Sequence, residues 1–539
     1  MTLADHLAVL PILVPLAVAA LTLLLDERRR RLKLALSIGT SVVLIAVAAT
    51  LLVKAGASGA VAATYPLGNW PIPFGIVLVA DRLSAIMVLV TAILTLFALI
   101  FASARWARAG VSFHTLVLVL LTGLNGAFLT GDLFNLFVFF EVLLAASYGL
   151  VLHGSGATRI RAGLHYVAIN LAASSLFLIG VALIYGVTGT LSMADLAARI
   201  PAVAAEDRGL LNAGIAILGV AFLVKAGMWP LNLWIPGTYS AASAPVAAMF
   251  AIMTKVGIYA VYRLSLLALG PDGGASAGFG QTFLLVGGML TIVFGSVGVL
   301  ASHATPRLAG FAVTVSSGTL LAAAGVGTPA VTAGALFYLV VSTLTIGAFF
   351  LLAELVERAR GGEEDVLAAT AEPFDEDDED GGPDSSAEAG LVIPATTAIL
   401  GSAFAICAML FAGLPPLSGF LAKFSMLSAM IGTEAPSAIT APTWTLVGIL
   451  VVSSFAVLIA MVRTGISIFW VTMKDVQVKV RLVEIAPVTA LLAIGVGLSV
   501  FGGEVQAYME DTAAALHAPW GMIDAVLGAP VVGGGSVSP

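Results

Sequence analysis

Apolar runs of roughly 20 residues recur along this chain, each closed by a short polar or basic segment. A helical run of that length matches the hydrocarbon core of a bilayer. About fourteen such runs are predicted, centred near residues 16, 44, 92, 119, 142, 174, 218, 256, 290, 316, 343, 402, 455 and 490, with a break near 402. The pattern is that of an all-α polytopic membrane protein. Two stretches carry prolines that break the helical period: Lys225-Ala-Gly-Met-Trp-Pro230-Leu-Asn-Leu-Trp-Ile-Pro236-Gly and Ala412-Gly-Leu-Pro415-Pro416-Leu-Ser-Gly. A break inside a membrane helix frees backbone groups that need other partners, so it belongs beside a buried site or cavity. Both breaks adjoin a lysine. The two breaks suggest an inverted repeat, although the lysine precedes the prolines in the first and follows them in the second.

Four charges lie at membrane depth inside these runs. Glu141 sits in Leu133-Phe-Asn-Leu-Phe-Val-Phe-Phe-Glu141-Val-Leu-Leu-Ala-Ala-Ser. Lys225, Lys255 and Lys423 sit in Ala221-Phe-Leu-Val-Lys225, Ala251-Ile-Met-Thr-Lys255-Val-Gly-Ile-Tyr and Pro415-Pro-Leu-Ser-Gly-Phe-Leu-Ala-Lys423-Phe. A charge at the bilayer centre costs at least about 2.5 kcal/mol, so one acid and three amines there point to a proton relay. Glu141 and Lys225 are expected to face each other as a switchable pair. The alternative is an inert interhelical ion pair. Asp132 is expected to be an N-terminal helix charge, His114 and His165 hydrogen-bonded interior histidines, and Arg159 and Arg161 anchors. Arg463 suits either a snorkelling or a channel-lining role.

Composition narrows the class. The chain is 60% hydrophobic and 10% charged, against about 25% charged residues in a soluble domain. The single cysteine, Cys407, gives no disulfide framework and no iron–sulfur or haem ligation. There is no GxxxxGK[ST] loop and no HExxH, and the six histidines form no ligand cluster. No cofactor, metal or nucleic-acid partner is expected, and the chain is expected to be no enzyme.

Basic residues set the expected orientation. Arg28 to Arg31 and Lys33 follow the first run, which reads as a retained first helix with its N-terminus outside. Arg105, Arg108, Arg159, Arg161, Arg307, Arg358, Arg360, Lys474, Lys479 and Arg481 then fall inside. Lys54, Arg82, Arg199, Arg208 and Arg263 fall outside. The segment 361–390, with Glu363-Glu-Asp365 and Phe374-Asp-Glu-Asp-Asp-Glu-Asp380, supplies most of the net charge of −7 and reads as a disordered cytoplasmic loop.

Four motifs resemble those of the proton-translocating antiporter-like family, which includes large membrane subunits of respiratory complex I and the A and D subunits of Mrp-type Na⁺/H⁺ antiporters. They are Gly131-Asp-Leu-Phe-Asn-Leu-Phe-Val-Phe-Phe-Glu141-Val, Phe222 to Pro236, Ala244 to Tyr259, and Gly413 to Phe424. Within the family the chain is most similar to the Mrp-type D subunits. Asn232 and Tyr239 stand where complex I subunits carry histidines, and Lys423 stands where one of them has glutamate.

The resemblance implies two five-helix inverted repeats, about 110–270 and 275–470, within one transmembrane domain. It also implies exchange of cytoplasmic Na⁺ for external H⁺, with the A, B, C, E, F and G subunits of an Mrp complex as partners. Glu141 and Lys225 would be the switchable pair, Lys255 the central carrier and Lys423 the terminal group. A subunit of a redox-driven pump, or a scaffold for a cation-transporting subunit, remains the alternative. The chain departs from the family in Ala335-Leu-Phe-Tyr338-Leu-Val-Val-Ser342-Thr343-Leu-Thr345-Ile346. There Tyr338 and Ser342 take histidine positions and Ile346 the lysine. Water held by Ser342, Thr343 and Thr345 is expected to bridge Lys255 to Lys423.

Overall fold

The computed structural model describes residues 6–59, 61–70, 72, 74–361, 395–432, 440–472 and 480–529. Almost all of the acidic segment 361–390, together with Lys474 and Lys479, lies outside the described residues.

The first half of the chain runs through α1 (Leu10–Leu24), α2 (Arg30–Ser58), α3 (Arg82–Ala102), α4 (Phe113–Leu129), α5 (Leu133–Val151) and α6 (Ala157–Thr188), then the short α7 (Met193–Arg199). After it come α8 (Arg208–Ala226), α9 (Trp234–Ala241) and α10 (Ala244–Leu267). The second half continues with α11 (Gln281–Ala301), α12 (Thr305–Val326), α13 (Pro329–Gly361), α14 (Ala395–Ala412), α15 (Ser418–Gly432), α16 (Ala441–Ile466) and α17 (Leu482–Val500), and closes with α18 (Gly502–His517) and α19 (Trp520–Leu527). Each expected centre falls inside one of these helices. Among the described residues, 11 helices are long and apolar enough to cross a membrane, and four shorter apolar helices accompany them. The chain is a multi-pass membrane protein.

Both predicted breaks are present. Helix α8 stops at Ala226, and Gly227 caps it with φ +77°. A side chain there would strike Ile235, so the turn into α9 needs glycine. Helix α14 stops at Ala412, and the chain resumes as α15 at Ser418.

Helices that are apolar all round belong in the middle of a bundle, and α10 and α13 are buried on every side. These two helices carry Lys255 and Ser342. Their neighbours come close because small residues line the seams. A Cβ on Gly257 would lie 2.6 Å from the backbone nitrogen of Ala226, so α10 packs directly on the last turn of α8. That contact puts the Lys255 segment against the Lys225 segment.

A hairpin between α2 and α3 has no counterpart in the run-length pattern. β1 (Val61–Pro66) and β2 (Val77–Asp81) form an antiparallel hairpin, with Thr64 opposite Val79. Asp81 ends the hairpin and caps α3 by accepting from Ser84 N at 2.9 Å. It also holds Arg263 of α10 through two bonds, of 2.5 and 2.9 Å. Burial alone would raise the Asp81 carboxyl, but the Arg263 charge and the hydrogen bonds outweigh it and hold the group below its ordinary value. Arg82 reaches Asp511 of α18 at 2.8 Å. Arg82 and Arg263, expected as exterior loop charges, are therefore both buried in ion pairs. Of the other basic residues, Arg105 and Arg358 both reach Glu484, and Arg28 to Arg31 border one concavity with Arg108.

Candidate functional site

The first region is built on α5, α6 and α8. Asp132 starts α5 by accepting from Asn135 N at 2.7 Å, which is the helix-terminal role expected of it. The helix then carries Glu141 into the bundle, where it is half-buried. Ser174 of α6 donates its hydroxyl to Glu141 Oε1. Lys225 occupies the last turn of α8 and is 5% exposed. Its Nζ lies 5.0 Å from the centre of the Phe140 ring and has no hydrogen-bond acceptor among the described residues. Glu141 and Lys225 feel each other's charge but make no ion pair. Phe140, Phe177 and Phe222 pack around the approach, with ring centres 5.2 to 6.2 Å apart. The expected facing pair is thus two separate charges, one resting on a serine and one on an aromatic face.

The second region is built on α10, α12, α13, α15 and α16. Lys255 is fully buried, and its Nζ donates to Ser316 Oγ of α12 at 2.7 Å. Ser316 Oγ donates in turn to Ser342 Oγ of α13 at 3.0 Å. Tyr338 lies one turn back on α13 and is buried. Lys423 lies beyond Tyr338, its Nζ 6.0 Å from the ring centre. It donates to Phe411 O at 2.8 Å, to Ala412 O at 3.4 Å and to Ser454 Oγ of α16 at 2.9 Å. The two carbonyls are those freed where α14 breaks, so the break supplies both acceptors and the negative end of a helix dipole to the ammonium.

Helix packing revises part of the expected bridge. Thr343 and Thr345 return their hydroxyls to Leu339 O and Val341 O of their own helix, at 2.6 and 2.8 Å. Ser342 accepts from Ser316 of α12 and donates to Leu339 O of its own helix. Ile346, in the lysine position, is wholly buried among apolar neighbours. Sequence reasoning missed Ser174, Ser316 and Ser454. Their only signal is a hydroxyl within an apolar run, and most such hydroxyls merely bond back to their own helix.

The break after α8 has its own polar lining. Asn232 is fully buried with neither amide atom partnered among the described residues, and the hydroxyls of Thr238, Ser243 and Ser317 are in the same condition. Several unmatched polar groups would each cost about 1–3 kcal/mol in a dry site, so this region suits water. His114 is buried and His165 lies on the exposed flank of α6, which takes His165 away from the interior. Arg159 is buried under Trp106 at 4.8 Å and donates to Ala241 O at 2.9 Å, so it ties α6 to the end of α9. Arg463 is exposed and donates to Ser302 O at 2.8 Å, which leaves it outside the site.

The family described as NADH:quinone oxidoreductase/Mrp antiporter, TM, matches residues 130–455, a span that contains all four intramembrane charges. The chain belongs to this family. Over 98% of its length it is 55% identical to the D subunit of a probable K(+)/H(+) antiporter from Rhizobium meliloti, covering 99% of that protein. It is 35% identical to the D subunit of the Na(+)/H(+) antiporter of Alkalihalophilus pseudofirmus, covering 91% of this chain and 93% of the relative. A chain in the structure of the Mrp complex from Dietzia sp. DQ12-45-1b superimposes with a TM-score of 0.81 at 28% identity, over 98% of this chain and all of that one. This family member therefore has the architecture of an antiporter-complex subunit over nearly all of its length.

Proposed function

We propose that this chain is the proton-handling D subunit of a multisubunit Mrp-type antiporter in a bacterial plasma membrane, with its N-terminus outside and the other Mrp subunits as partners. The complex exchanges a cytoplasmic alkali cation for external protons, driven by the proton-motive force. The observation that carries this reading is the line of buried amines on packed helices. Lys225 and Lys255 lie on the contacting helices α8 and α10, and hydroxyls lead from Lys255 toward Lys423. Glu141 and Lys225 switch, Lys255 carries and Lys423 terminates. Two five-helix repeats, about 110–270 and 275–470, place the two broken helices at matching positions. Likeness to antiporter D subunits over nearly the full chain favours this reading over a redox-driven pump and over an inert scaffold. Relatives named for K⁺ and for Na⁺ support a monovalent alkali cation as the exchanged species.

The test expresses the complete set of subunits in antiporter-deficient bacteria and prepares everted vesicles with an imposed ΔpH. Added KCl or NaCl is expected to dissipate the ΔpH, and comparison of the two ranks the cations. No response to either, with the complex present at normal abundance, overturns the proposal.

A further inference from the structure

We propose that Arg28, Arg29, Arg30, Arg31 and Arg108 bind the phosphate headgroup of an anionic phospholipid whose acyl chains lie along the exposed leucines of α1. Under the orientation given above, that lipid belongs to the inner leaflet. The site does not depend on how protons move.

Two stretches far apart in the chain build it. Arg28 to Arg31 form the turn from α1 into α2, and Arg108 ends the short turn between α3 and α4. With Leu32 they line one concavity of about 490 Å³, within the range of about 300–1,000 Å³ typical of ligand pockets. All five arginines are exposed. Among the described residues, no carboxylate lines the hollow and none of the five guanidinium groups is in an ion pair. The two nearest acids in the sequence are engaged elsewhere. Asp26 accepts from Arg28 N at 3.0 Å, and Glu27 holds the Lys33 ammonium at 2.7 Å. Five like charges around one hollow repel each other, and an anion between them relieves that repulsion. The planar guanidinium fork matches phosphate oxygens in pairs.

The level of the hollow selects among anions. Helix α1 is apolar and ends at Leu24, so Arg28 to Arg31 fall at the membrane–water interface, where headgroups lie. Beside them Leu21, Leu23 and Leu24 are 45%, 65% and 85% exposed, and Leu32 on the rim is 43% exposed. An anionic head with apolar chains meets both surfaces. Free phosphate uses only the arginines, and so does an acidic peptide such as Asp375-Glu-Asp-Asp-Glu-Asp380. Basic clusters just inside a membrane helix recognise anionic lipids in this way.

The alternative is that the arginines only orient the chain in the membrane. Arg108→Gln separates these cases, because it leaves Arg28 to Arg31 and their orienting charge intact. The complete complex is placed in phosphatidylcholine nanodiscs with a trace of phosphatidylglycerol that carries a photoreactive acyl chain. Peptide mass spectrometry then locates the adducts. Labelling is expected on residues 21–34, several-fold above that from photoreactive phosphatidylcholine. Arg108→Gln and Arg29→Gln are each expected to lower it about fivefold, the equivalent of about 1 kcal/mol per basic residue at an anionic surface. Arg108→Lys retains most of it. Equal labelling by the two lipids, or wild-type labelling in both glutamine variants, overturns the proposal. Loss of labelling when phosphate replaces chloride at equal ionic strength makes the hollow a plain anion site and overturns it too. Labelling that emerges only after residues 366–388 are deleted gives the hollow to the acidic segment, with the same consequence. No exchange assay enters, so this result stands apart from the relay reading.

Discussion

The two regions of the site hold their charges in opposite ways. Around Lys255 and Lys423 each ammonium is seated on oxygen: Ser316 for one, Ser454 and two freed carbonyls for the other. Around Lys225 the ammonium rests on the Phe140 ring with no acceptor among the described residues, while Glu141 leans on Ser174. A buried cation with formed hydrogen bonds is close to its final environment, and moving it means breaking them. A buried cation over an aromatic face is poorly compensated, and a small displacement toward a carboxylate changes its energy by several kcal/mol. The first arrangement suits conduction and the second suits switching. The same lysine–helix-break combination is thus held differently, depending on whether neighbouring helices present hydroxyls or rings.

The largest expected effect removes the switch. Glu141→Ala and Lys225→Ala are each expected to abolish cation-dependent ΔpH dissipation while the complex still assembles. Near-normal exchange at normal abundance would dissolve the contrast, since the loosely held charges would then be idle.

Next in size is an attack on the seam between the regions. Gly257→Ala puts a methyl against the backbone of α8 at Ala226 and Phe222, and neither atom can swing away. Overpacking of this kind costs about 1–3 kcal/mol. The variant is expected to lower the melting temperature of the purified complex and to cut exchange several-fold per complex. Unchanged rates would mean that the spacing of α8 and α10 does not govern transfer.

Ser174→Ala sharpens the comparison further. It removes the donor to Glu141 and nothing else, and a hydrogen bond to a charged group contributes about 1.5–3 kcal/mol. Partial loss of exchange is expected, smaller than in Glu141→Ala. A loss as complete as that of Glu141→Ala would show that the carboxylate is rigidly held, and the first region would then resemble the second.

Deleting residues 366–388 is expected to have the smallest effect, leaving salt-resistant growth largely intact. The segment has no apolar face to pack, and loop length costs little closure entropy. Loss of growth at normal complex abundance would instead assign it a docking or gating role.

The sequence by itself determined the membrane class, the position of every expected helix centre, both breaks and the four intramembrane charges. These follow from properties local to the chain: a run length set by bilayer thickness, prolines that cannot continue a helix, and charges that stand out against apolar neighbours. The hairpin at 61–81 and the helices after Val500 were not legible in it, because short or amphipathic elements give no membrane-length signal. Only the tertiary structure decided who touches whom. Glu141 and Lys225 both stand at mid-membrane depth, yet helix rotation gives one to Ser174 and the other to Phe140. Ser316 and Thr343 are equally plausible hydroxyls in the sequence, but only Ser316 points across a helix interface, while Thr343 bonds to its own turn. A hydroxyl's partner depends on which face of its helix meets a neighbour, and that is fixed by packing among helices far apart in the chain.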